Sequence, residues 1–82
     1  MTIKVLFFAK IREQLGQSEI TIAQQVATVE ELRQHLVSQG EPWASALAKS
    51  QLLVGVNHQM VALNSAIQAG DEVAFFPPVT GG

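Results

Sequence analysis

Short apolar segments separated by polar connections predict five strands and one main helix. Residues 2–9 are predicted to form the first strand, in which successive side chains point alternately to its two faces. The two faces carry Ile3, Val5 and Phe7 on one side and Lys4, Leu6 and Phe8 on the other. Both faces are partly apolar, which is typical of a central strand or of a strand with a partner on its second face.

A second short strand is predicted at 19–22, where Ile20 and Ile22 share one face. The residues between the two strands, 10–17, are interpreted as a connection that closes at Gly16. Two strands so close in sequence indicate a hairpin with a wide loop.

The main helix has the clearest local signals in the chain. Thr28 and Glu31 form a capping-box pattern, in which each side chain is expected to bond the other residue's amide. The apolar residues Val29, Leu32, Leu36 and Val37 then follow helical spacing. Gly40 is placed to stop the helix.

The second half of the sequence predicts a weak helical turn and three strands. Pro42 opens the turn, and Trp43, Ala44 and Leu47 are expected to pack inward. The strands are predicted at 52–56, 59–61 and 72–76, with turns at Asn57-His58 and Gly70-Asp71. Neither residue of the first turn is glycine, so its type is open.

This order of elements, ββαβββ, favours an α+β roll with one main helix on a mixed sheet, since the helix cannot bury its apolar face alone. If the first and last strands are neighbours, they run parallel in the centre of the sheet. That placement explains why both are so apolar.

Composition removes several classes of function. Charged residues make up 15% of the 82, against about 25% in an average domain. There is no cysteine, which excludes a disulfide scaffold and a cysteine-ligated metal site. Five Lys/Arg against seven Asp/Glu give no basic surface for nucleic acid. No apolar run reaches membrane-span length, and the N-terminus does not resemble a signal peptide, so we expect a cytoplasmic protein without membrane or nucleic-acid partners.

The C-terminal residues are the chemical feature of the sequence. Residues 1–76 are predicted to form the domain and 77–82 a flexible tail that ends in Gly81-Gly82. Pro77 and Pro78 favour an extended exit, and six residues reach at most about 20 Å. A tail without terminal side chains can enter a channel too narrow for them. The alternative is an ordinary frayed terminus.

Four segments resemble a known family. TIKVLFFA–IRE, TVEELRQHL, LLVGVN and GDEVAFFPPVTGG, which together span nearly the whole chain, are similar to the small, sulfur-carrier subunits of molybdopterin synthase. The resemblance implies a ubiquitin-like β-grasp fold and a non-catalytic, sulfur-donating subunit of a heterotetramer. Catalytic residues are then expected on the large subunit.

The resemblance also implies a reaction at the terminal glycine. Gly82 would be adenylated by an ATP-dependent partner similar to ubiquitin-activating enzymes, and sulfur would replace the AMP to give a thiocarboxylate. Gly81 would allow the tail into the large subunit, where sulfur passes to cyclic pyranopterin monophosphate and forms the molybdopterin dithiolene. Only the transient AMP and the thiocarboxylate sulfur are implied as cofactors.

Strand alternation predicts where the large subunit binds. Phe8 and Phe76 are expected on the open face of adjacent central strands, and Met60 is expected to join them. The alternative is that a second layer of the same chain covers them. Further contacts are predicted from the tail residues Pro77, Pro78, Val79 and Thr80 and, with lower rank, from Lys10 and Arg12.

Other interpretations remain open at this point. His35 and His58 have no ligand companions in the sequence and are interpreted as solvated or structural. The competing functions are a thiamine-pathway sulfur carrier, a ubiquitin-like modifier conjugated to lysine, and an interaction module whose tail does nothing. The FFPPVTGG ending favours the molybdopterin branch.

Overall fold

A five-stranded sheet in the order β2-β1-β5-β3-β4 forms the centre of the computed structural model, which describes residues 2–23, 25–48 and 52–77. The strands are β1 (Ile3–Phe7), β2 (Glu19–Ile22), β3 (Leu53–Val56), β4 (Gln59–Val61) and β5 (Glu72–Phe76). The helices are α1 (Ala9–Leu15), α2 (Val29–Val37) and α3 (Trp43–Ala46). β1 and β5 are neighbours at the centre and run parallel, which is the arrangement that explains why both are so apolar, and the other pairs are antiparallel. The predicted α+β fold with a mixed sheet is confirmed.

The prediction of a plain connection at 10–17 is wrong, because the chain forms α1 there. This helix has no side-chain cap and no acidic residue in its first turn, so it lacks the usual signals of a helix start. It is held instead by the burial of Ile11, and Gly16, at φ +73°, ends it. β1 and β2 nevertheless pair as predicted, with Ile3 opposite Ile22.

α2 begins as the sequence predicted, except in one hydrogen bond. The Glu31 amide donates to Thr28 Oγ1 at 3.2 Å. The Glu31 carboxylate, however, accepts from the Ala27 amide at 3.0 Å and not from that of Thr28, so the box closes one residue earlier than predicted. Gly40, at φ +89°, follows the last turn, and its amide donates to the Val37 carbonyl.

One side of the sheet, called here the inner face, forms the core together with the helices. The sheet supplies Ile3, Val5, Phe7, Ile22, Val54, Val73 and Phe75, and the rest of the chain supplies Ile11, Val29, Leu32, Leu36, Ala46, Leu47 and Ile67. The Trp43 ring meets the Phe7 ring edge-on, with 5.8 Å between centroids. Leu47 is fully buried and Trp43 and Ala44 are half-buried, which confirms the inward face of the weak helical turn.

Arg33 is the one charged side chain buried among the described residues, and it joins α2 to the end of α3. Its guanidinium donates two 2.8 Å hydrogen bonds to the Glu30 carboxylate and a third, of 3.0 Å, to the Leu47 carbonyl. The hydrogen bonds that Arg33 donates to Glu30 raise the pKa of Arg33 and outweigh its desolvation. The charged Arg33 side chain therefore links α2 to the end of α3 through hydrogen bonds.

In the part of the chain that the structure describes, no helix has the length and apolar character that crossing a membrane requires.

Candidate functional site

The side of the sheet opposite the core, called here the outer face, carries an apolar row across its strands. The strand registers place Leu6 beside Ala74, Ala74 beside Gly55, and Gly55 beside Met60. Leu53 lies opposite Phe76 in the neighbouring row. Because paired residues of adjacent strands point to the same side of a sheet, these residues share one surface.

Two aromatic rings stand at the end of this surface nearest the chain's exit. Phe8 and Phe76 stack with 4.8 Å between ring centroids and 8° between planes. Phe8 is 39% exposed and Met60 61% exposed, so no second layer of described residues covers them. The predicted placement of Phe8, Phe76 and Met60 on one open face is confirmed, while their binding role stays a prediction.

Three apolar residues of the outer face are not among the contacts predicted from the sequence. Leu53, 36% exposed, lies opposite Phe76, and Leu6 and Ala74 lie in the central row. Alternation places Leu6 on the same side of its strand as Phe8, but it does not show which strands lie beside β3 and β5. Only the register between strands shows that these residues form one continuous surface with Phe8 and Met60.

Charged groups border the outer face at the opposite end. Lys4 lies beside Glu72 in the register of β1 and β5. His58 Nε2 lies 3.4 Å from Glu72 Oε1, and the His58 side chain is largely exposed. A partner that covers the outer face would therefore meet an apolar centre and a polar edge, the usual arrangement of a protein interface.

The turn that carries His58 is fixed by hydrogen bonds to the first residue of β5 and to the residue before it. Asn57 and His58 both have positive φ, +50° and +72°, which fits a type I′ hairpin turn. Asn57 Nδ2 donates to Asp71 Oδ1 at 3.0 Å, and the Glu72 amide donates to Asn57 Oδ1 at 3.0 Å. These two bonds hold the polar edge of the outer face in place.

The chain leaves the sheet at the end of β5, next to α1. Pro77 and Lys10 line a small groove of about 190 Å³ between α1 and α3. Arg12 is exposed on the same helix. Lys10 thus lies at the exit of the predicted tail, whereas Pro78, Val79, Thr80, Gly81 and Gly82 lie outside the described residues.

No group of three or more His, Asp or Glu side chains that could hold a metal ion occurs within residues 2–23, 25–48 and 52–77. His35 is half-buried on α2 and His58 is on the outer face, so the fold does not bring them together.

Comparisons with known proteins place this geometry in context. The ThiS family model matches residues 5–82. Over 80 residues, the chain is 51% identical to the molybdopterin synthase sulfur carrier subunit of Escherichia coli K12, covering 98% of this chain and 99% of that protein.

Solved structures show the same fold. The crystal structure of the small archaeal modifier protein SAMP1 from Haloferax volcanii is similar with a TM-score of 0.76 at 29% identity, over 100% of both chains. A chain in the complex of subunits 1 and 2 of the molybdopterin-converting factor from Helicobacter pylori is similar with a TM-score of 0.68 at 25% identity, again over 100% of both chains. The fold is the ubiquitin-like β-grasp that the family resemblance implied.

Proposed function

Because the chain belongs to the ThiS family, we propose that it is the sulfur carrier subunit of a molybdopterin synthase. The observation that carries this proposal is the 51% identity to a sulfur carrier subunit over 98% of the chain. The FFPPVTGG ending, in which the proposed chemistry takes place, lies within the match to the family model.

The proposed chemistry takes place at the Gly82 carboxylate. A carboxylate is a poor electrophile, so one of its oxygens first attacks the α-phosphate of ATP, which releases pyrophosphate and forms an acyl-adenylate. A hydrosulfide ion from the sulfur source then attacks the acyl carbon, a C–S bond forms, and AMP leaves with the C–O bonding electrons. The product is a thiocarboxylate, whose sulfur is nucleophilic.

The absence of cysteine supports the terminal carboxylate as the sulfur carrier. With no thiol among the 82 residues, the chain cannot hold sulfur as a side-chain persulfide. A sulfur atom on a tether also meets its acceptor at a high effective concentration, whereas free sulfide diffuses away. Gly81, without a side chain, would let the tail pass through a narrow channel to cyclic pyranopterin monophosphate.

The outer face is the proposed contact with the large subunit. The similar chain from Helicobacter pylori was solved in a complex of subunits 1 and 2. Here the exposed apolar residues Phe8 and Met60 lie together on one face, and Phe8 stacks on Phe76. Pro77 lies at the same end of the sheet and lines a groove with Lys10; Lys10 and Arg12, both on α1, are the proposed second contacts.

Intact-mass measurement tests the sulfur-carrier proposal. We expect the chain, incubated with a cognate ATP-dependent adenylyltransferase, ATP and a sulfur source, to gain about 16 Da as oxygen is replaced by sulfur. The Escherichia coli relative is the positive control, and omission of ATP is the negative control. If the relative gains this mass and the present chain does not, the sulfur-carrier proposal is wrong.

Phe8→Asp tests the docking face separately. The variant should remain folded but lose binding to the large subunit, because it places a charge in the apolar stack. Thr21→Asp is the matched control, since it adds the same charge at an exposed outer-face position of β2. If Phe8→Asp unfolds the chain, Phe8 belongs to the core and the docking assignment fails.

A ubiquitin-like modifier is the second candidate, favoured by the similarity to the archaeal modifier protein. It would use the same adenylated glycine but transfer the acyl group to a lysine amine instead of sulfur. Covalent attachment of the chain to other proteins in a cell extract, lost when Gly82 is deleted, would support the modifier. A chain that stays free while it gains sulfur would support the carrier.

A further inference from the structure

A cavity of about 250 Å³ opens at the middle of the outer face. It is lined by Leu6, Phe8, Gly55, His58, Met60, Glu72, Ala74 and Phe76. We call this cavity the socket. Its wall is apolar apart from His58 and Glu72 at one end, and those two side chains already face each other at 3.4 Å.

The socket exists because two small residues lie side by side in the sheet. Gly55 and Ala74 are paired in the register of β3 and β5. A Cβ added at Gly55 would lie 3.3 Å from the Gln59 carbonyl oxygen and 3.7 Å from the Phe76 ring. Larger side chains stand around this pair, so the backbone itself forms the floor of the socket.

Several contacts fix the socket before any partner arrives. The floor belongs to the hydrogen-bonded strands β3 and β5. One wall is the Phe8–Phe76 stack, and the polar end is held by the hydrogen bonds of Asn57 to Asp71 and Glu72. A preformed concave site loses little entropy when it is filled, which favours an anchor side chain of the partner over a flat contact.

We propose that the socket receives one large apolar or aromatic side chain of the molybdopterin synthase large subunit, and that Gly55 and Ala74 determine the specificity of this contact by staying small. The inference rests on the proposed function and adds the kind of side chain that the large subunit must present. The apolar lining favours an apolar occupant, since the Glu72 carboxylate at the polar end already has His58 Nε2 at 3.4 Å.

Ala74→Leu distinguishes insertion from a flat contact. The change fills the socket while it adds apolar surface to the outer face. An inserted side chain would then be displaced, so the Kd for the large subunit should rise at least tenfold. A flat contact would bind equally well or more tightly. Thr21→Leu is the matched control, because it adds the same side chain at an exposed outer-face position away from the socket.

Binding of the purified chain to the large subunit of the same organism is measured by titration calorimetry, and folding is checked by thermal unfolding. If Ala74→Leu impairs folding, Ala74→Val fills the socket partly with a residue that favours strands and should still weaken binding severalfold. Glu72→Gln should leave Kd within about twofold if the occupant is apolar. A tenfold loss in Glu72→Gln would mean a cationic occupant and would overturn the proposal.

The remaining outcomes separate the socket from the proposed function. If the wild-type chain and Thr21→Leu bind and Ala74→Leu binds equally well, the socket proposal is wrong and the sulfur-carrier proposal stands. If the wild-type chain gains sulfur but does not bind the large subunit, both the docking face and the socket are wrong. If it neither gains sulfur nor binds, the proposed function itself fails.

Discussion

The inner and outer faces of one sheet carry similar side chains and differ in what covers them. Phe75 is fully buried, whereas Phe76, the next residue, is half-buried on the other side and stacks on Phe8. Phe7 is 1% exposed and Phe8 39%. Apolar content alone therefore does not separate a residue of the core from one on the open face of the sheet. Strand alternation separates them, and it leaves several apolar side chains on the outer face exposed.

The largest effect is expected on the inner face. Phe75→Ala removes a fully buried ring that packs on Phe7, and such a truncation costs about 3–5 kcal/mol of unfolding free energy. This is a large part of the stability of a small domain. Urea unfolding followed by circular dichroism measures it. A loss below about 1 kcal/mol would mean that the inner face is not the core.

Phe76→Ala is the matched change on the outer face. It should weaken binding to the large subunit by about 2 kcal/mol, roughly thirtyfold in Kd, because aromatic residues on an apolar docking surface are typical anchors of interfaces. Its cost in stability should be about 1 kcal/mol, from the stack with Phe8. If Phe76→Ala destabilises the chain as much as Phe75→Ala, the two faces do not differ as described.

A smaller effect on stability is expected at Arg33. Arg33→Ala leaves the Leu47 carbonyl and the Glu30 carboxylate without its hydrogen bonds, so we expect a loss of about 1–3 kcal/mol. The pKa of Arg33 in the folded chain is raised above that of a free arginine. The guanidinium therefore stays charged, and keeps its hydrogen bonds, at every pH below the ordinary arginine pKa. The loss in Arg33→Ala should therefore be the same at about pH 6 and pH 9.

Arg33→Lys is the control for the loss of these hydrogen bonds. Lysine keeps the charge but cannot make the two parallel bonds to Glu30, so part of the stability should be lost. Neither Arg33 variant should change binding to the large subunit, since Arg33 lies with the inner-face elements. Weaker binding by a folded Arg33→Ala variant would contradict the separation of the two faces.

The smallest effect is expected at the start of α2. Thr28→Ala removes the side chain that accepts from the Glu31 amide, which typically costs about 1 kcal/mol. Thr28→Ser keeps the hydroxyl and should keep most of the stability. Thermal unfolding of both variants measures the difference, and an equal loss in the two would show that the cap contributes nothing.

The sequence predicted elements with strong local signals and missed those that depend on neighbours. The alternation in β1 and the Thr28 cap are local, and both were predicted correctly at the level of the element. α1 was missed because its only buried residue is Ile11 and it has no capping side chain. The Glu31 carboxylate accepts from the Ala27 amide. The capping-box pattern does not distinguish this donor from the adjacent Thr28 amide.

The outer face was predictable in part because strand alternation is a local signal. Alternation within a strand placed Phe8 and Phe76 on the open side without any knowledge of the fold. The socket requires the register of β3 against β5, which brings Gly55 beside Ala74. Single-sequence patterns do not fix that register, and small residues in strands are not by themselves a signal of a site.

Deleting Gly82 tests most directly whether the Gly82 carboxylate carries the sulfur while the outer face binds the large subunit. Sulfur transfer is measured in a reconstituted synthase as molybdopterin formed, alongside binding to the large subunit and thermal unfolding. We expect the deletion to abolish transfer while unfolding is unchanged and the outer face still binds. Molybdopterin formation at the wild-type level by the deleted chain would contradict the central claim.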